Sequence, residues 1–407
     1  MSTARSPCGD SHGCPWPTTS SATKTFDVGP EFTSQDLPRE VRRPRGIKGP
    51  SWASRESVGN GPTSGDHGVR GQCARRTLRM FRSLACMLAV VLCGCALPRE
   101  GHTDEEVPLE ERTIESEGIT RRYLVAVPPD LRDDEQVPLV VMFHGGGGQG
   151  SAAAKETGWP VKALEDRFIV AFPEGTGPDP EAPGSFLRNP QIWHDGSERF
   201  TKRERQWDDV GYIERVLDEV CEEYPVDPAR VYATGFSNGA SMTFRVGVEL
   251  SERFAAVAPV AGAFWLEDPR PDRPVPLLYI TGEEDPLNPM DGGVPTTANG
   301  REMGAGVSKP PVLDSITKWA EMIGCHEETT PIDAPEGVTA VRYGPCEDGN
   351  EVRYYTIADC GHVWPGGENL LPERVVGPET DLLDATDLIW EFFCEHSLPE
   401  TDGDDVR

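Results

Sequence analysis

A serine between glycines, Gly235-Phe236-Ser237-Asn238-Gly239, has the residue types needed to expose a hydroxyl on a sharp turn. Residues 231–234 ahead of it are β-rich, and residues 240–250 behind it are amphipathic at helical spacing. That context places the pentapeptide as a nucleophile elbow, where glycines two before and two after the serine let strand and helix pass closely. A serine hydroxyl is a weak nucleophile at neutral pH and needs a base. Three histidines follow it at a useful distance, His326, His362 and His396. His362 comes directly after the β-rich run 352–357, so a loop delivers it to the carboxy-terminal edge of a sheet, where such sites form. His326 lies among polar residues, and His396 is in or just past the last helical pattern. An acid must orient the base and stabilise its protonated form. The run 277–280 leads into Glu283-Glu284-Asp285-Pro286, and Asp285, with Pro286 fixing the turn, is the expected acid; Glu284 is the alternative. Ser237, Asp285 and His362 in this chain order are the parts of an acyl-transfer site.

Acyl transfer also needs donors aimed at the negative charge that develops on the carbonyl oxygen. The backbone N–H of Asn238, at the start of the following helix, is one. The run 139–143 passes into His144-Gly145-Gly146-Gly147-Gly148-Gln149, whose unhindered N–H groups, Gly145 and Gly146 first, supply the second. His144 reads as a brace for this loop. No Cys/His/carboxylate cluster with ligand spacing accompanies it, so neither a metal nor any other cofactor is expected. The stretch 176–207 holds Phe186, Trp193, Phe200 and Trp207, and Trp364 closely follows the base. Trp193 and Trp364 are the expected substrate wall; aromatic residues serve equally well as core.

The elements that must position these residues read as α/β. Short apolar or β-rich runs occur at 123–127, 139–143, 168–172, 231–234, 255–260, 277–280 and 352–357, most of them continuous. Continuous runs suit a buried, largely parallel sheet with helices on both faces. Val210, Ile213, Val216, Leu217 and Val220 recur at helical spacing behind Asp208 and Asp209, which suit a helix start. A last helix is expected over 383–394. No internal repeat and no second catalytic domain is evident.

Charge divides the chain. Its net charge is −29, yet residues 1–94 hold 13 Lys and Arg against 7 Asp and Glu, so the acidity lies beyond them. This charge repels a polyanionic backbone, and nucleic-acid binding is not expected. No run approaches the roughly 20 apolar residues of a spanning helix. Arg75, Arg76, Arg79 and Arg82 precede the apolar run 84–92, which ends in Cys93-Gly94-Cys95. That order of charge, apolar segment and small residue is an export signal. Met80 heads it and is the expected start; residues 1–79, rich in Gly, Pro, Ser, Thr and Arg, are expected to be a disordered or misassigned upstream extension, with a cytosolic tail as the competing reading. Leu92-Cys93-Gly94-Cys95 resembles a bacterial lipobox, which implies lipidation of Cys95, with a plain signal peptide as the alternative. The expected division is a signal peptide at 80–94, a lipidated terminus and linker at 95–117, a catalytic domain at 118–398 and an acidic tail at 399–407. Of eleven cysteines, Cys221, Cys325, Cys346, Cys360 and Cys394 fall in the exported part, an odd number whose spacing does not choose pairs.

From about residue 120 to 396 the chain resembles the polyhydroxybutyrate depolymerase and feruloyl esterase family of α/β-hydrolases, particularly its lipoprotein-like branch. The matching segments are FHGGGG, the stretch 192–196, DDVGYIERVLDE, DPARVYATGFSNGASM, ITGEEDPLNP and GHVWPGG. The resemblance implies a single mostly parallel sheet flanked by helices, Ser237 as nucleophile, Asp285 as acid and His362 as base. It also implies a disulfide between Cys325 and Cys346. Ala240 stands where family members commonly carry glycine, a change expected to alter helix packing only. The implied activity is hydrolysis of esters of 3-hydroxyacid oligomers, or of acetyl or feruloyl esters of polysaccharides, soluble or small esters before crystalline polymer. A noncatalytic envelope-binding lipoprotein on the same scaffold, or a serine peptidase, is the alternative. The membrane enters only through the lipid anchor.

Overall fold

Seven of the ten strands coincide with the apolar runs of the sequence, and the reason is visible in their burial. The structure, a computed structural model, describes residues 107–399 except 133, 198, 200–206, 304–305 and 347–348. These fall in the unit Ala96–Arg407. Residues 1–79, the expected signal at 80–94, Cys95 and the tail 400–407 lie outside the described residues.

The strands are β1 (Glu110–Ser116), β2 (Ile119–Ala126), β3 (Val137–Phe143), β4 (Ile169–Pro173), β5 (Val226–Phe236), β6 (Ala256–Val260), β7 (Leu277–Gly282), β8 (Thr329–Pro331), β9 (Val338–Tyr343) and β10 (Val352–Ile357). They form one sheet in the order β1-β2-β4-β3-β5-β6-β7-β10-β9-β8. The six central strands from β4 to β10 run parallel, and antiparallel pairs close both sides.

The helices are α1 (Gly150–Thr157), α2 (Trp159–Asp166), α3 (Asp209–Glu223), α4 (Asn238–Glu249), α5 (Val312–Met322), α6 (Glu373–Val376) and α7 (Ala385–Cys394). Every residue of β3 is buried, because each face has its own cover. Leu139, Val141 and Phe143 join a cluster with Tyr212, Val216 and Val220 of α3, Phe244 of α4, and Ile316 and Trp319 of α5. Val140 and Met142 point to the opposite cluster, with Ala153 of α1, Trp159 of α2 and Ile389, Phe392 and Phe393 of α7. Period-two alternation between two apolar layers explains why the central strands read as unbroken hydrophobic runs. Asp208 caps α3 by accepting the Gly211 N–H at 3.0 Å. Asp209 instead turns inward, pairs with buried Arg121 at 2.7 Å and accepts the His194 N–H at 2.6 Å.

One expectation needs correction. The domain begins before 118, because β1 lies within the supposed linker and pairs along its whole length with β2. Only Ile114 and Ser116 of β1 are buried, so it carries too little apolar pattern to be seen in the sequence. The stretch between Cys325 and Cys346 holds β8 and β9, of which only Ala340 and Tyr343 are buried. No helix among the described residues is long and apolar enough to cross a membrane.

Candidate active site

Three parallel strands, β5, β7 and β10, release the three expected residues at the same edge of the sheet. Phe236 ends β5 opposite Val260, Val260 pairs with Ile280 of β7, and Ile357 ends β10 opposite Gly282. Ser237 follows β5, Asp285 follows β7 and His362 follows β10, so parallel pairing in register brings residues 125 positions apart into contact.

Ser237 has φ 57° and ψ −113°, a left-handed conformation that costs on the order of 1–3 kcal/mol for a residue with a Cβ. Packing holds it there. Its N–H donates to Val260 O at 2.9 Å. A Cβ on Gly239 would lie 2.1 Å from the Phe143 carbonyl oxygen, and one on Gly235 would lie 2.5 Å from the Gly239 oxygen. Both flanking glycines are therefore required by close approach of α4 to β3 and β5. Ala240 is buried, and a Cβ on Gly262 would lie 2.5 Å from its methyl carbon, so glycine at 262 makes the room that the alanine at 240 fills.

His362 is buried, with its Nε2 2.8 Å from the Ser237 hydroxyl oxygen and its Nδ1 2.7 Å from Asp285 Oδ2. An ionised carboxylate only accepts, so Nδ1 carries the proton and Nε2 is free to accept from the serine. The other oxygen of Asp285 accepts the N–H groups of Leu287 and Asn288 at 2.8 and 2.7 Å, which fixes the carboxylate plane. Glu284, the alternative acid, is exposed, and neighbouring Glu283 accepts from the Thr356 hydroxyl. His326 is exposed, and His396 pairs with Glu351 at 3.4 Å.

The glycine loop lies alongside. A Cβ on Gly145 would sit 3.5 Å from the Ser237 Cβ, and one on Gly146 would sit 3.4 Å from the Asn238 Cβ. Gly145 and Gly146 thus run beside Ser237 and Asn238, the first residue of α4. The loop is held from behind by His144. Its Nε2 accepts the Gly175 N–H at 2.9 Å, so its Nδ1 carries the proton and donates to Gly145 O at 2.8 Å. Burial pushes its pKa down to about 4, so the ring stays neutral in this role.

Trp193 and Trp364 are not a substrate wall. Trp193 is fully buried between Phe143 and His144; its indole N–H donates to His144 O at 3.0 Å, and its backbone N–H donates to Asn238 Oδ1 at 2.8 Å. Asn238 Nδ2 in turn donates to buried Asp195 at 2.8 Å. Trp364 is buried edge-on to Phe236 and donates to the Thr386 hydroxyl at 3.0 Å. Each indole N–H is satisfied inside, so both residues are packing that fixes the loops bearing His144 and His362. A polar group set not singled out from the sequence supports the acid: Asn288 Nδ2 donates to Tyr279 Oη at 2.9 Å, and buried Lys309 donates to Asn288 Oδ1 at 3.0 Å. Asn in the ITGEEDPLNP segment, three residues beyond the acid, was the available signal.

Cys325 and Cys346 are joined by a disulfide. Cys221, Cys360 and Cys394 are free, and burial pushes the Cys360 thiol up to about 12, which keeps it protonated and unreactive beside the base. Among the described residues, no group of three His, Cys, Asp or Glu side chains is placed to hold a metal.

Residues 130–302 match a family described as phospholipase/carboxylesterase. NocK of Nocardia uniformis subsp. tsuyamanensis, a protein named as an esterase, is 31% identical over 294 residues, which cover 69% of this chain and 81% of that one. Feruloyl esterase B of Piromyces equi is 29% identical over 290 residues, 69% of this chain but 46% of that protein. Poly(3-hydroxyalkanoate) depolymerase C of Paucimonas lemoignei is 30% identical over 125 residues, 31% of this chain and 28% of the relative. With its ten-stranded sheet, this chain belongs to the polyhydroxybutyrate depolymerase and feruloyl esterase family of α/β-hydrolases and is a carboxylic ester hydrolase.

Proposed function

We propose that Ser237, His362 and Asp285 hydrolyse esters through a covalent acyl-enzyme. The observation that carries this is the unbroken hydrogen-bonded series from Ser237 Oγ through His362 to Asp285, at 2.8 and 2.7 Å. Ser237 Oγ attacks the ester carbonyl carbon while its proton passes to His362 Nε2. The carbonyl π electrons move to oxygen, and the N–H groups of Gly145, Gly146 and Asn238 receive that charge at the start of α4. The oxyanion then collapses, the bond to the alcohol oxygen breaks, and His362 gives its proton to the leaving alkoxide. Water repeats the sequence on the acyl-serine and releases the acid. Asp285 remains ionised throughout and stabilises the imidazolium.

The substrates are esters of 3-hydroxyacid oligomers, or acetyl or feruloyl esters on polysaccharides, in line with the named activities of the relatives. Replacing Ser237 with alanine removes the nucleophile. Turnover of a chromogenic acetate ester is expected to fall by roughly three orders of magnitude or more with far-ultraviolet dichroism unchanged. Retention of more than about a tenth of wild-type turnover would falsify the assignment.

The basic and apolar run that ends at Cys95 supports export as a lipid-anchored protein. A single acyl chain binds membranes only weakly, so stable anchoring rests on several chains at that cysteine. Chain started at Met80 is expected to fractionate with membranes and its Cys95→Ser variant not to; an intact mass without lipid at Cys95 overturns this reading.

A further inference from the structure

The aromatic residue nearest the glycine loop that remains open to solvent is Phe186. It is 52% exposed, and Leu187 next to it is 87% exposed. Together with Leu313 on α5, at 54%, they are the three most exposed large apolar side chains among the described residues. The ring of Phe186 lies against the backbone of Gly147: a Cβ there would meet Phe186 Cδ2 at 3.0 Å and Cε2 at 3.1 Å. Gly147 also has φ 84°. A side chain at 147 is therefore disfavoured both by conformation and by the ring. Gly145, two residues away, borders the serine: a Cβ there would lie 3.5 Å from the Ser237 Cβ. Two peptide steps span at most about 7 Å, so the ring packs on the same loop whose first glycine borders Ser237.

The segment that carries Phe186 is tied down at every turn. Ser185 and Asn189 exchange backbone hydrogen bonds at 2.9 and 3.0 Å, which makes residues 185–189 a closed turn with Phe186 at its tip. Buried Asn189 donates its side-chain amide to the carbonyls of Asp179 and Ala182 at 2.8 and 2.9 Å. Gly147 N–H donates to Gln191 O at 2.6 Å, which clamps the base of the turn to the oxyanion loop. A half-exposed ring on a rigid support is apolar surface held ready for a partner, with its ordering cost already met by the fold.

We propose that Phe186, with Leu187 beside it, sets the ester preference of this enzyme by stacking a planar aromatic acyl group at the edge of the oxyanion loop. This rests on the reading of Ser237 as nucleophile. A flat ring offers an offset-stacked or edge contact to another flat ring and offers an acetyl group almost nothing. Phe186 is a specificity-determining residue: it contacts the substrate away from the reacting atoms, so its removal weakens binding of one substrate class and leaves the chemistry of the other intact.

The test compares methyl ferulate with methyl acetate, each followed by acid release at constant pH, so that the leaving alcohol is the same. Phe186→Ala is expected to lower kcat/KM for methyl ferulate about tenfold, mainly through KM, and to change methyl acetate less than about twofold. Phe186→Tyr, which keeps the ring, is expected to stay near wild type on both. Equal losses on both esters, or no loss on the ferulate, overturn the proposal. Failure of the underlying reading is seen separately, as undiminished acetate hydrolysis by the Ser237→Ala variant.

Discussion

Lys309 has no part in bond making, yet it sits one hydrogen bond from the turn that carries the acid. Its ammonium donates to Asn288, whose own N–H donates to Asp285. Burial is the main influence on this lysine and pushes its pKa from the ordinary 10.5 down to about 7; the Arg199 guanidinium acts in the same direction, and the charges of Asp285 and Asp195 act against it. The folded chain therefore releases this proton near pH 7, whereas the unfolded chain keeps it to about 10.5. Between those values the unfolded state binds more protons, so the contribution of Lys309 to stability is poorest below pH 7 and improves as pH rises toward 10.5. Replacing it with methionine removes the titrating group. The stability of the variant relative to wild type, from urea denaturation, is expected to decline by a few kcal/mol, on the order of 4, between pH 6 and pH 10. A difference that does not change with pH would show that this lysine is not titrating there.

Among the elements, α4 makes a tight demand, because its first turn is pressed into the end of β3 through Gly239. Gly239→Ala places a methyl group against two carbonyl oxygens, those of Phe143 and His144, at 2.1 and 2.6 Å. Neither backbone can yield without moving the oxyanion loop or the serine. A displacement of about 1 Å can cost on the order of a hundredfold in rate, so kcat is expected to fall at least that far, together with the melting temperature. Gly118→Ala, where a Cβ meets nothing within 4 Å, is the comparison: it strains one turn at φ 81° and leaves kcat unchanged. The same contrast explains what could be read beforehand. The central strands and the Ser237–Asp285–His362 order were legible because burial on two faces writes continuous apolar runs, and because parallel strands all release their loops at one edge. β1, β8 and β9 were not, since each buries two residues at most and its alternation is lost among exposed polar and charged ones. α1 was equally faint, as its buried residues are glycine, alanine and threonine. Trp193 and Trp364 misled for a different reason: residue type fixes the contact an indole can make but not which side of a loop it faces, and both turned inward, leaving Phe186 outside.

At the scale of the molecule, the disulfide and the site occupy opposite ends of the sheet. Cys346 follows Tyr343, which pairs with Val352 at the beginning of β10, whereas His362 follows Ile357 at its end. Five steps of about 3.3 Å along that strand separate the two regions by more than 15 Å. Closing a loop between residues 21 apart contributes about 3 kcal/mol in the chain-entropy description. The Cys325→Ser, Cys346→Ser double variant is therefore expected to lose about that much stability in denaturant titration while kcat/KM stays within twofold of wild type; a large loss of activity at equal folded fraction would contradict the separation. The outermost strands of the sheet have a further consequence. β8 is three exposed residues long and ends in Pro331, which has no N–H to offer, and β1 presents Glu110, Glu111, Arg112 and Glu115 along its length. A second chain seeking to add a strand at either side meets a missing donor at one and a row of charges at the other. Among the described residues, both margins of the sheet thus carry features that oppose the addition of a strand from another chain, which disfavours edge-to-edge growth into fibres.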